Sequence, residues 1–218
     1  TVYSTFQLSV ANDIPLLCID HFMAELAYSF DCPTASMNTF VERILTSLSF
    51  EERKRSIQMN LLSETPSQIL FQDVLELSRS SKNSDVYLVY KFIEKYPDAI
   101  KATGSSLDFL TQIIRNVIAV AYLDGAILSG GRLKNPTYDG YAEYVFNSCC
   151  RLALKVFDGQ TAEDKFGTLV FNVIDTPVPA YRFSKLVASI ASDFAQGHFL
   201  NVKACNDALI ACHKAKYT

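Results

Sequence analysis

The sequence predicts an all-α fold, a globular bundle of about nine to ten helices with a short extended N-terminal arm. Three observations predict it. Over 13–217 the apolar residues recur at intervals of three and four, the spacing of one helix face. Several of these runs follow a Ser or Thr with an acidic or amide residue three places on, a helix-start signature. The one strand-like run, Val86-Tyr87-Leu88-Val89-Tyr90, lies among helices without a partner strand.

The first eleven residues break the rhythm. Phe6, Leu8 and Val10 alternate with polar residues, which suits an extended arm that docks on the chain's own core or on a partner. Asn12 or Asp13 is expected to cap the first helix, with Pro15 in its first turn, where a missing N–H costs nothing. Leu16, Ile19, Met23, Leu26 and Phe30 form its stripe, and Cys32-Pro33 ends it. Ser36 opens a second helix with Phe40, Val41, Ile44, Leu45 and Leu48 inward. Ser49 with Glu52, and Thr65 with Gln68 around Pro66, read as capping boxes and are the firmest boundaries.

Residues 80–84 form a polar loop, and Ser84 is expected to cap a helix through Tyr96, with Pro97 opening a short turn. Gly104-Ser105-Ser106 leads into the longest apolar helix. There Leu107, Leu110, Ile114, Val117 and Ala121 share a face that Ile113, Ile118 and Val120 widen, so this helix belongs at the centre. Residues 129–136 gather two glycines and a proline among charges. The expected organisation is one domain, 1–218, with a hinge near 129–136. Further helices are expected over 138–157, from a Thr161/Asp164 start, over 180–196 with Phe183, Leu186, Val187, Ile190 and Phe194 packed, and over 198–214. No internal repeat recurs at one period.

A chain of 218 residues, 49% hydrophobic and 20% charged, can bury a full core without disulfide or metal staples. Its net charge of −3 gives no general attraction to nucleic acid or anionic lipid, and a split of −5 in 1–109 against +2 in 110–218 is mild. Arg53-Lys54-Arg55 is the one basic cluster and Glu51-Glu52 partly offsets it, so nucleic-acid binding is a minor expectation. The stretch 117–128 contains Asp124 and is shorter than the ~20 apolar residues of a membrane span. No secretory signal is read at the start, although beginning at Thr1 leaves room for a removed leader. The six cysteines (Cys18, Cys32, Cys149, Cys150, Cys205, Cys212) form no regular framework, which favours a reducing compartment.

Residues 125–132 superficially resemble a phosphate-binding loop, but Gly131 and Arg132 stand where it needs Lys and then Ser or Thr. Cys205, Cys212 and His213 share the last helix; a seven-residue interval separates the thiols by about 10 Å, too far for one zinc ion. Asp20 and His21 are helix neighbours pointing in different directions, not a dyad. Glu51-Glu52 and Glu163-Asp164 sit at helix starts, where the helix dipole accounts for them. Tyr138, Tyr141 and Tyr144 recur at three-residue intervals ahead of Phe146, Cys149 and Cys150, a stripe suited to a core or an interface.

No set of catalytic, metal-binding or phosphate-binding residues converges. The expected role is therefore non-catalytic: a scaffold, linker or adaptor subunit whose partners are other protein subunits. The alternative is a carrier of a covalently thiol-linked prosthetic group such as a bilin, attached at Cys149 or Cys150 beside the tyrosines and Arg151. That reading requires an outward-facing thiol, because burial disfavours the reactive thiolate.

Overall fold

The computed structural model describes residues 2–18, 21–62, 69–102, 105–123, 136–156, 160–175 and 181–218. These form twelve helices and one two-stranded ribbon, an all-α architecture. Contacts divide the chain into two compact units, Thr1–Leu70 and Phe71–Thr218. The division thus falls well before the hinge expected near 129–136, of which residues 129–135 lie outside the described residues.

The first unit contains α1 (Val2–Asn12), β1 (Leu16–Cys18), α2 (His21–Ser29), β2 (Thr34–Ser36), α3 (Met37–Ser47) and α4 (Phe50–Leu62). β1 and β2 pair in parallel, Leu16 beside Thr34 and Leu17 beside Ala35, and α2 is the crossover that a parallel pair requires. The core is small. Phe6, Ala27 and Cys32 are buried, with Leu16, Met23 and Leu26 packed against them. The Cys32 thiol donates to the Phe6 carbonyl at 3.4 Å, and the Phe30 ring centroid lies 5.7 Å from that of Phe6.

Here the structure corrects the sequence reading. The N-terminal segment is a helix, not an extended arm, and buries Phe6 with Ser9 while Leu8 and Val10 point outward. An extended arm would need a strand to bond its backbone, whereas a helix bonds its own; three alternating apolar residues are too few to decide against that. Asn12 and Asp13 end α1 instead of starting the next helix. Asp13 takes φ 51°, its N–H bonds the Val10 carbonyl at 3.3 Å, and the Ile14 N–H bonds the Ser9 carbonyl at 3.1 Å. This paired closure is the Schellman ending. Asp and Asn suit both a helix N-cap and the left-handed residue after a helix, so the dipeptide reads either way. α2 ends likewise, with Asp31 at φ 51° and the Cys32 N–H on the Ala27 carbonyl at 3.1 Å. In α3, Leu45 is buried as expected, but Phe40 and Ile44 are 45% and 44% exposed. The Ser49–Glu52 box forms, the Ser49 N–H donating to the Glu52 carboxylate at 2.8 Å. Thr65 and Gln68 lie outside the described residues.

The second unit contains α5 (Phe71–Ser78), α6 (Asn83–Lys95), α7 (Pro97–Lys101), α8 (Ser106–Leu123), α9 (Pro136–Val156), α10 (Ala162–Ile174), α11 (Tyr181–Gly197) and α12 (Val202–Tyr217). Val86 to Tyr90 are helical, as expected. α8 packs against α5, α9, α10 and α11, and Leu110, Ile113 and Ile114 are at most 1% exposed, so it occupies the centre. Its Arg115 reaches the end of α10, donating to the Val173 carbonyl at 3.1 Å, the Asp175 carbonyl at 2.6 Å and the Asn172 carbonyl. A guanidinium there satisfies carbonyls that have no partner within the helix.

The Thr161–Asp164 box forms as expected. Two helix starts differ. α6 begins after Lys82, not at Ser84, with Ser80 accepting the Lys82 N–H and donating to Asp85. α12 is capped by Asn201, which accepts from the Lys203 and Ala204 N–H groups, not started at His198. Gly167 lets α12 lie directly on α10: a Cβ there would stand 2.7 Å from the Ala208 Cβ and 2.7 Å from the Cys205 carbonyl oxygen. The end of α12 is tied back to Asp175, which accepts from Lys216 and from the Tyr217 hydroxyl.

Candidate functional site

The tyrosine stripe gains partners that the sequence reading did not assign. Tyr141 lies 5.2 Å from Tyr87, and Tyr144 lies 5.7 Å from Tyr90, between ring centroids. One step further Glu94 accepts from Ser148 at 2.5 Å and from Arg151 at 3.0 Å. The Tyr87–Tyr141, Tyr90–Tyr144 and Glu94–Ser148 pairings share one offset of 54 positions, so α6 and α9 run parallel. Tyr144 is 53% exposed and the other three rings are half-buried. Lys91 sits 5.4 Å above the Tyr87 ring and 5.8 Å above Tyr90. The Ser148 hydrogen bond, followed by Arg151, holds the Glu94 carboxyl below its usual range. The i, i+3 spacing of Tyr87 and Tyr90 was the available signal. The side chain of Tyr138 lies outside the described residues.

Cys149 and Cys150 do not join this face. Five and six residues beyond Tyr144, at about 100° per residue, they point into the unit, and both are 0% exposed. Burial pushes both thiols well above their ordinary range. The outward thiol that covalent attachment requires is not offered at either position. Cys205 is buried and Cys212 half-buried, its sulfur 3.5 Å from the Thr168 hydroxyl, while His213 lies edge-on to Phe171. Among the described residues, no group of three or more His, Cys, Asp or Glu could hold a metal ion. The loop-like stretch 125–132 and Asp20 lie outside the described residues, as does the side chain of His21.

A groove opens in the second unit between α8, α9 and α11, with a volume of about 270 Å³. Phe146, Phe194, Ile118 and Ile190 supply its apolar wall. Glu143 and Asp193 line it too, and neither forms an ion pair among the described residues. His198 stacks on Phe194 with centroids 3.9 Å apart, and its Nδ1 lies 3.0 Å from the Phe194 carbonyl oxygen.

The most unusual surface belongs to the first unit. Sixteen large apolar side chains are exposed among the described residues, and twelve of them lie at or before Met59. Phe22 is 72% exposed, Tyr28 80%, Leu8 65% and Met59 72%. Over the same stretch, among the described residues, only Phe6, Ala27, Cys32, Leu45 and Ile57 are buried apolar residues. The first 42 residues also contain no lysine or arginine, against five carboxylates. Ten of the exposed apolar side chains fall within these 42 residues, where carboxylates are the charged neighbours, and Arg43, Arg53, Lys54 and Arg55 follow later in the same unit; the 1–42 part can bind an apolar, basic surface.

No helix among the described residues is long and apolar enough to cross a membrane. Compared with protein-family models, curated proteins and solved structures, the chain has no significant match.

Proposed function

We propose that this protein is a non-catalytic subunit of a larger protein assembly, and that its first unit is the part another polypeptide covers. The observation that carries the reading is the concentration of exposed apolar side chains before Met59. Exposed apolar side chains in this number favour a covering partner, because leaving them in water forgoes about 25 cal/mol per Å². The charge pattern selects the partner class. With no cation in residues 1–42, anionic lipid is repelled, whereas a polypeptide presenting apolar residues flanked by lysine or arginine is complementary. The second unit has its own packed core around α8, and the unpaired cysteines accord with a reducing compartment.

Zero-length carboxyl-to-amine coupling on material from the native source tests this. The exposed Asp13 and Asp31 carboxylates should form amide links to lysines of another chain, with loss of water at each link. A native mass equal to the single 24.3 kDa chain, or links confined to 71–218, would overturn the proposal.

A further inference from the structure

Among the described residues, three helices end with the same Schellman closure, and their left-handed residues are Asp13, Asp31 and Phe199. Aspartate tolerates that backbone region; a bulky aromatic residue is strained in it. At the end of α11, Phe199 takes φ 56°, its N–H bonds the Gln196 carbonyl at 3.3 Å, and the Leu200 N–H bonds the Ala195 carbonyl at 2.9 Å. Glycine suits this position, yet the glycine stands two places earlier at Gly197, where an added Cβ would meet nothing within 4 Å. Phe199 is also 96% exposed, the highest value of any large apolar residue described. Its ring therefore makes almost no contact within the chain that could offset the strain.

We propose that Phe199 inserts into the α8/α9/α11 groove of a second copy of this chain, which returns its own Phe199 across a two-fold axis. The position of the knob supports exchange. Gly197 and His198, immediately before Phe199, line the groove, so knob and hole occupy the same end of the unit and a two-fold rotation presents each to the other. The hole suits an aromatic ring, since Phe146, Phe194, Ile118 and Ile190 form an apolar wall in about 270 Å³. Charge is complementary as well. The groove carries Glu143 and Asp193, while the exposed Lys203 follows the knob in the first turn of α12.

Area sets the strength. Two inserted rings bury about 150–250 Å² each, and with sockets of equal area about 600–1,000 Å² in all, below the ~1,200–2,000 Å² of stable complexes and in the range of transient ones. The dimer is accordingly weak, with a dissociation constant on the order of 10–100 µM. It is distinct from the contact proposed for the first unit.

Sedimentation equilibrium on the full chain from about 1 to 500 µM tests the proposal, with melting temperatures compared at about 1 µM, where dimerisation adds no stability. The unaltered protein should pass from monomer to dimer. Phe199→Gly should remain monomeric throughout while melting at the same temperature or higher, because glycine removes the strain. Asp193→Lys should weaken the dimer at least tenfold without lowering the melting temperature, and added salt should weaken the unaltered dimer. A protein monomeric at every concentration would overturn the proposal. So would a dimer that survives Phe199→Gly but is lost in Leu8→Ser/Phe22→Ser, which would place self-association on the first unit. A lowered melting temperature in Phe199→Gly would also contradict it, since Phe199 would then be held by its own chain.

Discussion

The two units of this chain divide their apolar residues in opposite ways. In Phe71–Thr218 the large apolar side chains turn inward, and among the described residues only Tyr144, Phe199, Ile210 and Tyr217 are exposed. In Thr1–Leu70 the proportion reverses, with three buried residues in the central cluster and Phe22, Tyr28 and Leu8 in water. The difference is one of neighbours, not of composition. α8 packs against four helices and, among the described residues, leaves only a face at Asp108 and Gln112 exposed, whereas α1 and α3 each bury only a narrow strip. A helix with one covered side is stable only to the extent of that side's burial, so the first unit gains far less from folding alone.

The largest expected effect tests the better-packed unit. Leu110→Ala or Ile114→Ala should destabilise it by about 2–5 kcal/mol through the cavity left in a core that cannot collapse. Denaturant unfolding followed in the near ultraviolet, where the second unit's tyrosines report, is the measurement. Near-neutral results at both positions would remove α8 from the centre.

Gly167→Ala should cost about 1–3 kcal/mol, because the new methyl meets the α12 backbone at the Cys205 carbonyl, which cannot turn aside as a flexible side chain would. The expected sign is loss of α12 protection in hydrogen exchange ahead of α8.

A smaller effect belongs to the α12 tether and has a definite pH window. Lys216, then Tyr217, holds the Asp175 carboxyl below its ordinary range, so its contribution is present above about pH 4 and lost as pH falls through the lowered value. Asp175 raises both Lys216 and Tyr217, so their contributions are full below their unfolded values, near pH 10, and fade as pH rises through the raised ones. Protection of α12 should therefore hold across the neutral range and fall at both extremes. Asp175→Asn should flatten the acid limb.

The smallest effect tests the first unit. Phe22→Ser and Tyr28→Ser should change the stability of the purified chain by no more than about 0.5 kcal/mol, as expected for exposed positions. The same changes should reduce co-purification of partner chains from the native source. A loss of several kcal/mol would mean that these side chains are already covered within the chain.

The same contrast explains what could be read in advance. α8, the Ser49–Glu52 and Thr161–Asp164 boxes, and the helical state of Val86 to Tyr90 were legible because each is specified by residues within a few positions of one another. The first unit was misread for the same reason. Its decisive interactions are the docking of Phe6 beside Cys32, 26 positions away, and the pairing of β1 with β2, whereas the local cue at Asn12-Asp13 serves a helix start and a helix end equally. The tyrosine quartet was half-visible: Tyr141 and Tyr144 stand out by spacing, but their partners Tyr87 and Tyr90 lie 54 residues earlier and meet them only because α6 and α9 run parallel. Cys149 and Cys150 follow the tyrosines closely in sequence, and helix rotation turns both away from that face into the unit, which removes the outward thiol that the carrier alternative required.

Hydrogen exchange measured residue by residue, on the purified chain and again on the assembly from its native source, tests the central claim most directly. In the purified chain, amides of α8 and α10 should exchange slowly and those of α1 to α3 faster by several orders of magnitude. In the native assembly α1 to α3 should slow by at least tenfold while α8 and α10 stay as they were. Equal protection of α1 to α3 in both preparations would contradict the claim that another polypeptide covers the first unit.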